Sequence, residues 1–495
     1  MPRALTTRRV FLAALFLGLF AMAAGNVTDP DVWWHLKTGE FIAQHRAVPR
    51  TDPFSYTRAG APWVAHEWLT ELLMFQLFRA TGLGGLIFIF AAILNAAFIL
   101  LYLRCGPSPY IAGAATLCAA LATRPVWGVR PQVVSLLFTS LWLLLLDRSE
   151  KNSRILWWTL PLTLLWVNLH AGFALGLVLL GLFLLGESIE AVLRMGPGSP
   201  CVAPRDWKTA AFVLLLDILL VPLNPNGFRL FSYPIETLRS AAMKNYIVEW
   251  ASPNFHRAEY APFLVIILAT ILTLHWSRIP VRPRDLILLC VGLYAGLSSI
   301  RLIPLFVLIA VPIISRRLGT WPVPDKDPRK IPALAQMLNA SILTAMAVFA
   351  GAHLAQVIER QPQVQAGEFP ERAVAFLMAH PPSGAIFNHY DWGGYLIWNL
   401  YPSTRVFLDG RADLYGEHLF REFADAYQLQ GSWRQILQNW KVQTVIVPTT
   451  SPLATGLRDD AGWKITYQDN QAIILTASPP TLPSPAPASP PSHPR

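Results

Sequence analysis

The stretch Leu83-Gly84-Gly85-Leu86-Ile87-Phe88-Ile89-Phe90-Ala91-Ala92-Ile93-Leu94-Asn95-Ala96-Ala97-Phe98-Ile99-Leu100-Leu101-Tyr102-Leu103 carries no charged residue and stops at Arg104. As a helix, a run of about 20 apolar residues spans the hydrocarbon core of a bilayer. The rest of the chain has the same character. Of its 495 residues, 53% are apolar and only 14% charged, with 18 Trp and 26 Phe. Soluble domains carry roughly 25% charged residues. A single soluble globule, a disordered chain and a disulfide scaffold are excluded. The fold class is a polytopic α-helical membrane protein.

Further apolar runs lie on either side. Val10 to Ala24 comes first, behind Arg8-Arg9. It reads as a first span or, with Ala21-Met22-Ala23 as cleavage site, as a signal peptide; the span is favoured. Then come Ile111 to Ala122, Pro131 to Leu146, Ile155 to Leu169, Phe173 to Leu193 and Ala210 to Leu223. Phe263 to Trp276, Leu286 to Ile300, Leu302 to Ile314 and Leu334 to Val357 complete the set. The expected count is about 11 spans. His66 to Ala80 is expected to lie on or dip into the membrane without crossing it.

Lys and Arg outnumber Asp and Glu by 40 to 30, a net charge of +10. With the N-terminus in the cytoplasm, alternate loops collect the excess: Arg104, then Arg148/Lys151/Arg154, then Arg194/Arg205/Lys208. Arg278/Arg282/Arg284 and Arg316/Arg317/Lys326/Arg329/Lys330 follow. This is the positive-inside bias of a plasma membrane protein. No basic cluster is interleaved with stacking aromatics, so nucleic acid is not an expected partner. Cys105, Cys118, Cys201 and Cys290 show neither CxxC nor Cys/His spacing, which argues against disulfides and structural zinc.

The membrane part is expected over 1–358, with a first outer loop at 26–82 and a second long outer segment from Asn224 to Tyr260. Residues 359–477 read as an extracytoplasmic α/β domain. Its strands are expected at Ala385–Asn388, Arg405–Leu408, Thr444–Val447 and Ala472–Leu475. Helices are expected at Glu371–Met378, Glu417–Tyr427 and Trp433–Trp440. Residues 478–495 form a Pro-rich tail, read as disordered.

The first outer loop opens Thr28-Asp29-Pro30-Asp31-Val32-Trp33-Trp34-His35-Leu36. Asp, then Pro, then helix formers mark a helix start, with Asp29 at the N-cap. The Trp pair suits a membrane–water boundary, so this helix is expected to lie at the outer interface. Asp29 has an ordinary role as a cap. Asp31 does not cap, and a carboxylate in an apolar setting needs a partner or a task. Glu67 and Glu71, one turn apart on the dipping helix, pose the same question.

This arrangement resembles the GT-C glycosyltransferase superfamily, which includes protein O-mannosyltransferases and lipid A aminoarabinose transferases. It is similar above all to bacterial members that begin Asp-x-Asp-x-Trp-Trp-His-Leu, over roughly Arg8 to Ile358. Many relatives carry adjacent Asp-Glu, where this chain places Pro30 between two Asp. The resemblance implies transfer of a sugar from a polyprenyl-phosphate donor to a glycan, lipid or protein acceptor at the outer face. Asp31 is then the first choice for the base, with Asp29 and Glu67 as further catalytic candidates. Positive groups must hold the departing phosphate. Arg124, Arg130, His170, Arg257 and Arg301 are expected on that side, where their ordinary role would be snorkelling to lipid phosphate. His35, Trp34, Glu249, Asp409 and Arg411 are the substrate-binding candidates. Asp409 and Arg411 also read as a structural pair. The Gly393-Gly394 turn reads as a place where backbone approaches a sugar or phosphate. No cofactor is expected; Asp29-x-Asp31 has the spacing for a divalent cation, but a monophosphate donor does not call for one. The competing readings are a transporter or flippase, for which Asp217 is the main mid-span charge, and a non-catalytic envelope assembly protein.

Overall fold

The computed structural model describes residues 5–194, 207–277, 279–319 and 332–478. Cys201, Arg205, Arg278, Lys326, Arg329, Lys330 and the Pro-rich tail beyond Ser478 lie outside the described residues.

Every apolar run is helical. The helices are Thr7–Ala23, Trp68–Arg104, Pro109–Thr123, Gln132–Ser149, Thr159–Leu169, Phe173–Arg194, Trp207–Leu220, Ala261–Trp276, Pro283–Ser298, Ile303–Leu318 and Ala333–Glu368. Among the described residues, five helices are long and apolar enough to cross a membrane by themselves. Trp68–Arg104 is broken at Gly82, whose φ of 65° only glycine adopts readily. The break separates the segment 68–81 from the apolar run beginning at Leu83. Ile303–Leu318 sits at the centre and is buried along almost its whole length. It packs against Pro109–Thr123, Ala261–Trp276 and Pro283–Ser298.

Arginines expected in cytoplasmic loops meet at one end of the bundle. Arg104 pairs with Asp147 at 2.9 Å, and Arg282 pairs with Glu150, Glu187 and Glu190 at 2.8 to 3.1 Å. Arg284 pairs with Glu150 and Glu187.

The C-terminal part holds a four-stranded sheet: β1 (Ala385–Asn388), β2 (Val442–Pro448), β3 (Trp463–Gln468) and β4 (Ala472–Ala477), in the order β1-β2-β4-β3. β1 and β2 are parallel, and the other pairs are antiparallel. β3 is an addition to the expected strands. Arg405–Leu408 does not join the sheet. Val406 instead bridges to Ser55 of the first outer loop, while the Asn388 carboxamide holds Phe407 N–H at 2.8 Å and Leu408 C=O at 2.9 Å. That segment is a seam between the two parts of the chain.

The helix Asp31–His45 is not an exposed interfacial helix. Val32, Trp33, Trp34, His35, Leu36, Thr38, Gly39 and Ile42 are all buried. One side packs on the start of Trp68–Arg104, where Gly39 lies against the Glu71 carbonyl. The other packs on the helix Gly393–Leu400. Trp33 packs edge-on against Tyr395 and Phe369 and tilted against Trp398, at 5.2 to 6.3 Å. The outer domain, not lipid headgroups, covers the Trp pair.

Candidate active site

The Asp29-Pro30-Asp31 turn does two separate jobs. Asp29 Oδ1 accepts the Asp31 N–H at 3.0 Å, as a capping carboxylate should. Its Oδ2 pairs with Arg130 Nε, and Arg130 Nη1 pairs with Glu249. Asp29 is therefore committed. Burial lowers Arg130 to about 10, which leaves it charged at neutral pH. Asp31 has no ion pair among the described residues. Burial raises its carboxyl to about 6. The Trp34 indole and Arg301 oppose the rise; the charges of Asp409 and Glu67 add to it. A carboxylate left free and lifted towards neutrality suits a base.

Glu67 stands at the start of the helix Trp68–Arg104 inside a ring of three histidines. His66 Nε2 lies 3.2 Å from Oε1, His170 Nε2 3.1 Å from the same oxygen, and His35 Nδ1 3.4 Å from Oε2. The partners on the far sides assign the protons. His66 Nδ1 faces the Val64 carbonyl at 3.2 Å, which only accepts, so this nitrogen donates. Its Nε2 then faces a carboxylate, and both nitrogens carry hydrogen. Burial would lower His66, but the Glu67 charge outweighs it and the net shift is upward. His170 Nδ1 accepts the Gly172 N–H at 2.9 Å. Ser135 Oγ, which accepts a hydrogen bond from the Trp166 indole N–H at 2.8 Å, lies 2.7 Å from the same nitrogen. His170 therefore donates from Nε2 to Glu67. Burial lowers His170, and it lowers His35 to about 4, so His35 is neutral. Burial would raise Glu67, but the His66 charge and the hydrogen bonds from His170 and His66 hold it well below the usual range.

The cations sort into three situations. Arg301 bonds Gln132 at 2.5 Å, lies 5.7 Å over the Trp250 ring, and acts electrostatically on Asp31, His35, Arg130 and His170. The turn holding it, Ile300–Leu302, packs against the turn Arg124–Val126. Arg124 itself is exposed and makes no ion pair among the described residues. Arg257 is 60% exposed and pairs with Glu259, making no contact with the cluster.

Asp409 and Arg411 are held differently from open binding groups. Arg411 donates through Nε and Nη2 to Asp409 at 2.8 and 2.7 Å, and through Nη1 to Asp52 at 2.7 Å. It is 2% exposed and sandwiched against Trp63 and Phe54, at 4.7 and 5.1 Å. Each of its three nitrogens donates to a carboxylate inside the protein, which is the structural-pair arrangement. Gly393 lies against the Leu408 carbonyl and Asp409, and Gly394 against the Pro30 carbonyl and Trp34. Those glycines admit protein backbone, not a ligand.

Three residues enter that the sequence did not assign. Tyr390 lies close enough to Asp31, Asp409, Asp391 and Asp413 that burial and these charges keep its hydroxyl protonated. Tyr233 donates to Asp413 at 3.1 Å and stacks over His66 at 4.4 Å. Tyr390 and Asp413 follow the segments Ala385–Asn388 and Arg405–Leu408 within a few residues; nothing local marks Tyr233.

A cation between Asp29 and Asp31 would have to displace Arg130. Among the described residues, His35, Glu67 and Glu71 form a converging donor set, with ligand atoms within 4.8 Å of one another. Glu71 Oε1 accepts from His35 at 3.1 Å, and its Oε2 is buried without a partner.

A helical membrane bundle with a buried Asp/Glu/His site at one end, roofed by a small α/β domain, defines a class of membrane proteins. No protein-family model matches the sequence, and no curated protein matches it. Solved structures do. ArnT from Cupriavidus metallidurans, an aminoarabinose transferase bound to undecaprenyl phosphate, superposes with a TM-score of 0.50 at 12% identity, over 95% of this chain and 98% of that one. The arabinofuranosyltransferase AftD from Mycobacteria gives a TM-score of 0.51 at 14% identity, over 96% of this chain and 40% of the far longer AftD. The chain shares the overall fold of these two membrane proteins.

Proposed function

We propose that this protein is a membrane glycosyltransferase. It moves a sugar from a polyprenyl-phosphate donor to an acceptor hydroxyl at the outer face of the plasma membrane, with the N-terminus in the cytoplasm and the C-terminal domain outside. The observation that carries the reading is Asp31: a carboxylate without an ion pair among the described residues, raised to about 6, and within electrostatic reach of Arg301, which pairs with no carboxylate among those residues. Asp31 takes the proton of the acceptor hydroxyl. The freed oxygen bonds to the anomeric carbon, the carbon–phosphate oxygen bond breaks, and polyprenyl phosphate leaves with the electron pair. Arg301, with Arg124 on the adjoining turn, stabilises the charge that develops there. Asp29 and Glu67 act by positioning: the first anchors Arg130, the second organises three histidines and adds negative potential at Asp31.

A groove of about 680 Å³ supports a lipid donor. It is lined mostly by apolar side chains, among them Leu69, Leu164, Leu165 and Leu223, and reaches Trp68 and Asn168 beside the Glu67–His170 pair. No metal is needed at Asp29–Asp31, because Arg130 supplies the positive charge there.

The test is transfer in membranes from a panel of polyprenyl-phosphate sugars, wild type against Asp31→Asn. Transfer by the wild type and a loss of about 100-fold or more in the variant is expected, with equal membrane insertion. Equal transfer by both would overturn the assignment, and silence of both across the panel would favour an assembly protein.

A further inference from the structure

The outer segment between Trp207–Leu220 and Ala261–Trp276 contains a helix, Arg229–Arg239, with three distinct faces. Leu230, Tyr233 and Thr237 turn towards the protein; Tyr233 is 8% exposed and bonded to Asp413. Arg229, Ser232, Glu236 and Arg239 form an exposed polar side. The third face is apolar and open: Phe231, Ile235 and Leu238, continued one turn back by Phe228, at spacings of three and four residues. They are 38%, 52%, 50% and 78% exposed. Soluble surfaces do not usually gather large apolar side chains in one unbroken stripe.

We propose that this helix lies in the membrane–water boundary on the side of the Asp31 site, with Phe228, Phe231, Ile235 and Leu238 in the lipid and Arg229 and Arg239 at anionic headgroups. Two observations select lipid over a protein partner. The chain that leads into the helix is apolar and exposed as well, at Leu219 and Leu223, 62% and 59% exposed. Arginines at both ends of the helix complement anionic headgroups, and such helices bury their apolar face roughly 5–10 Å deep. Through Tyr233, the lipid surface is then one side chain from His66 and its partner Glu67. The placement goes beyond the transferase reading and does not depend on it.

Quenching in nanodiscs of phosphatidylethanolamine and phosphatidylglycerol tests it without turnover. With the four native cysteines replaced, Phe231→Cys, and separately Ile235→Cys, carries an environment-sensitive fluorophore; Glu236→Cys is the polar-face probe. At 231 and 235, a lipid nitroxide near the headgroup should quench several-fold more than aqueous iodide, and more than a nitroxide at the chain end. At 236 the order should reverse. Iodide quenching alike at all three positions would place the stripe in water. Shielding of 231 and 235 from both quenchers would place protein over it. Either result overturns the proposal. Two stripe probes guard against one variant failing to fold, which gel filtration reports.

Discussion

Gly410 of the outer domain touches the Asp31 carboxylate: a Cβ placed there would lie 1.7 Å from Asp31 Oδ1 and 3.1 Å from Trp34 Nε1. The outer domain thus forms one wall around the proposed base. Gly410→Ala gives a sharp prediction. The carboxylate is the end of a side chain and can rotate away, so the fold should persist while the base is displaced. A shift of about 1 Å in a reacting group costs on the order of 100-fold in rate. Transfer should fall by that order with little change in melting temperature. Full activity in the variant would mean that Asp31 need not stand where it does.

Asp31, raised to about 6, works as a base only when ionised. Activity should therefore be level above pH 6 and fall about tenfold per pH unit below it. The neighbours move this limb in opposite directions. Arg301 lowers the Asp31 pKa, so Arg301→Gln should carry the limb to higher pH. Glu67 raises it, so Glu67→Gln should carry it lower. Profiles of kcat/KM for both variants check the signs, and parallel shifts would contradict the arrangement.

Local features of this molecule were legible in the sequence, and long-range ones were not. Each apolar run became a helix because uninterrupted apolar side chains state their own environment. The Asp29 cap was legible for the same reason, since its hydrogen bond spans two residues. Trp33 and Trp34 misled because an indole pair is equally suited to headgroups and to a protein core. What decides is the helix Gly393–Leu400, far along the chain. The Asp29–Arg130–Glu249 and Asp52–Arg411 links join distant segments, and no local pattern announces them, whereas the Asp409–Arg411 pair spans two residues and was legible. Arg405–Leu408 has strand-like composition, yet its backbone is shared between the outer loop and the Asn388 side chain.

Arg411 fastens the outer domain to the first outer loop. Its planar donor fork meets two carboxylates, a geometry that lysine cannot copy. Arg411→Lys should leave part of a buried charge cluster unpaired, at a cost of about 3–5 kcal/mol. The expected readouts are a clear fall in melting temperature and faster proteolysis between the membrane part and the outer domain. Retained stability would show that the aromatic contacts with Trp63 and Phe54 carry the dock.

Asp217 separates the proposed transferase from a transporter. It is fully buried in Trp207–Leu220, and its oxygens accept the Thr159 and Thr163 hydroxyls at 2.8 and 2.7 Å. The pairing ties two helices together and gives the carboxylate a structural task. In Asp217→Asn the carboxamide oxygen still accepts one hydroxyl. The Thr159 hydroxyl also has the Leu156 carbonyl at 2.8 Å. The loss should stay near one hydrogen bond, about 1 kcal/mol. Transfer should survive, with a melting temperature a little lower. A carrier that moved its cargo past Asp217 would be disabled by the same change. Loss of transfer as complete as in Asp31→Asn, without loss of stability, would move the functional centre into the membrane span.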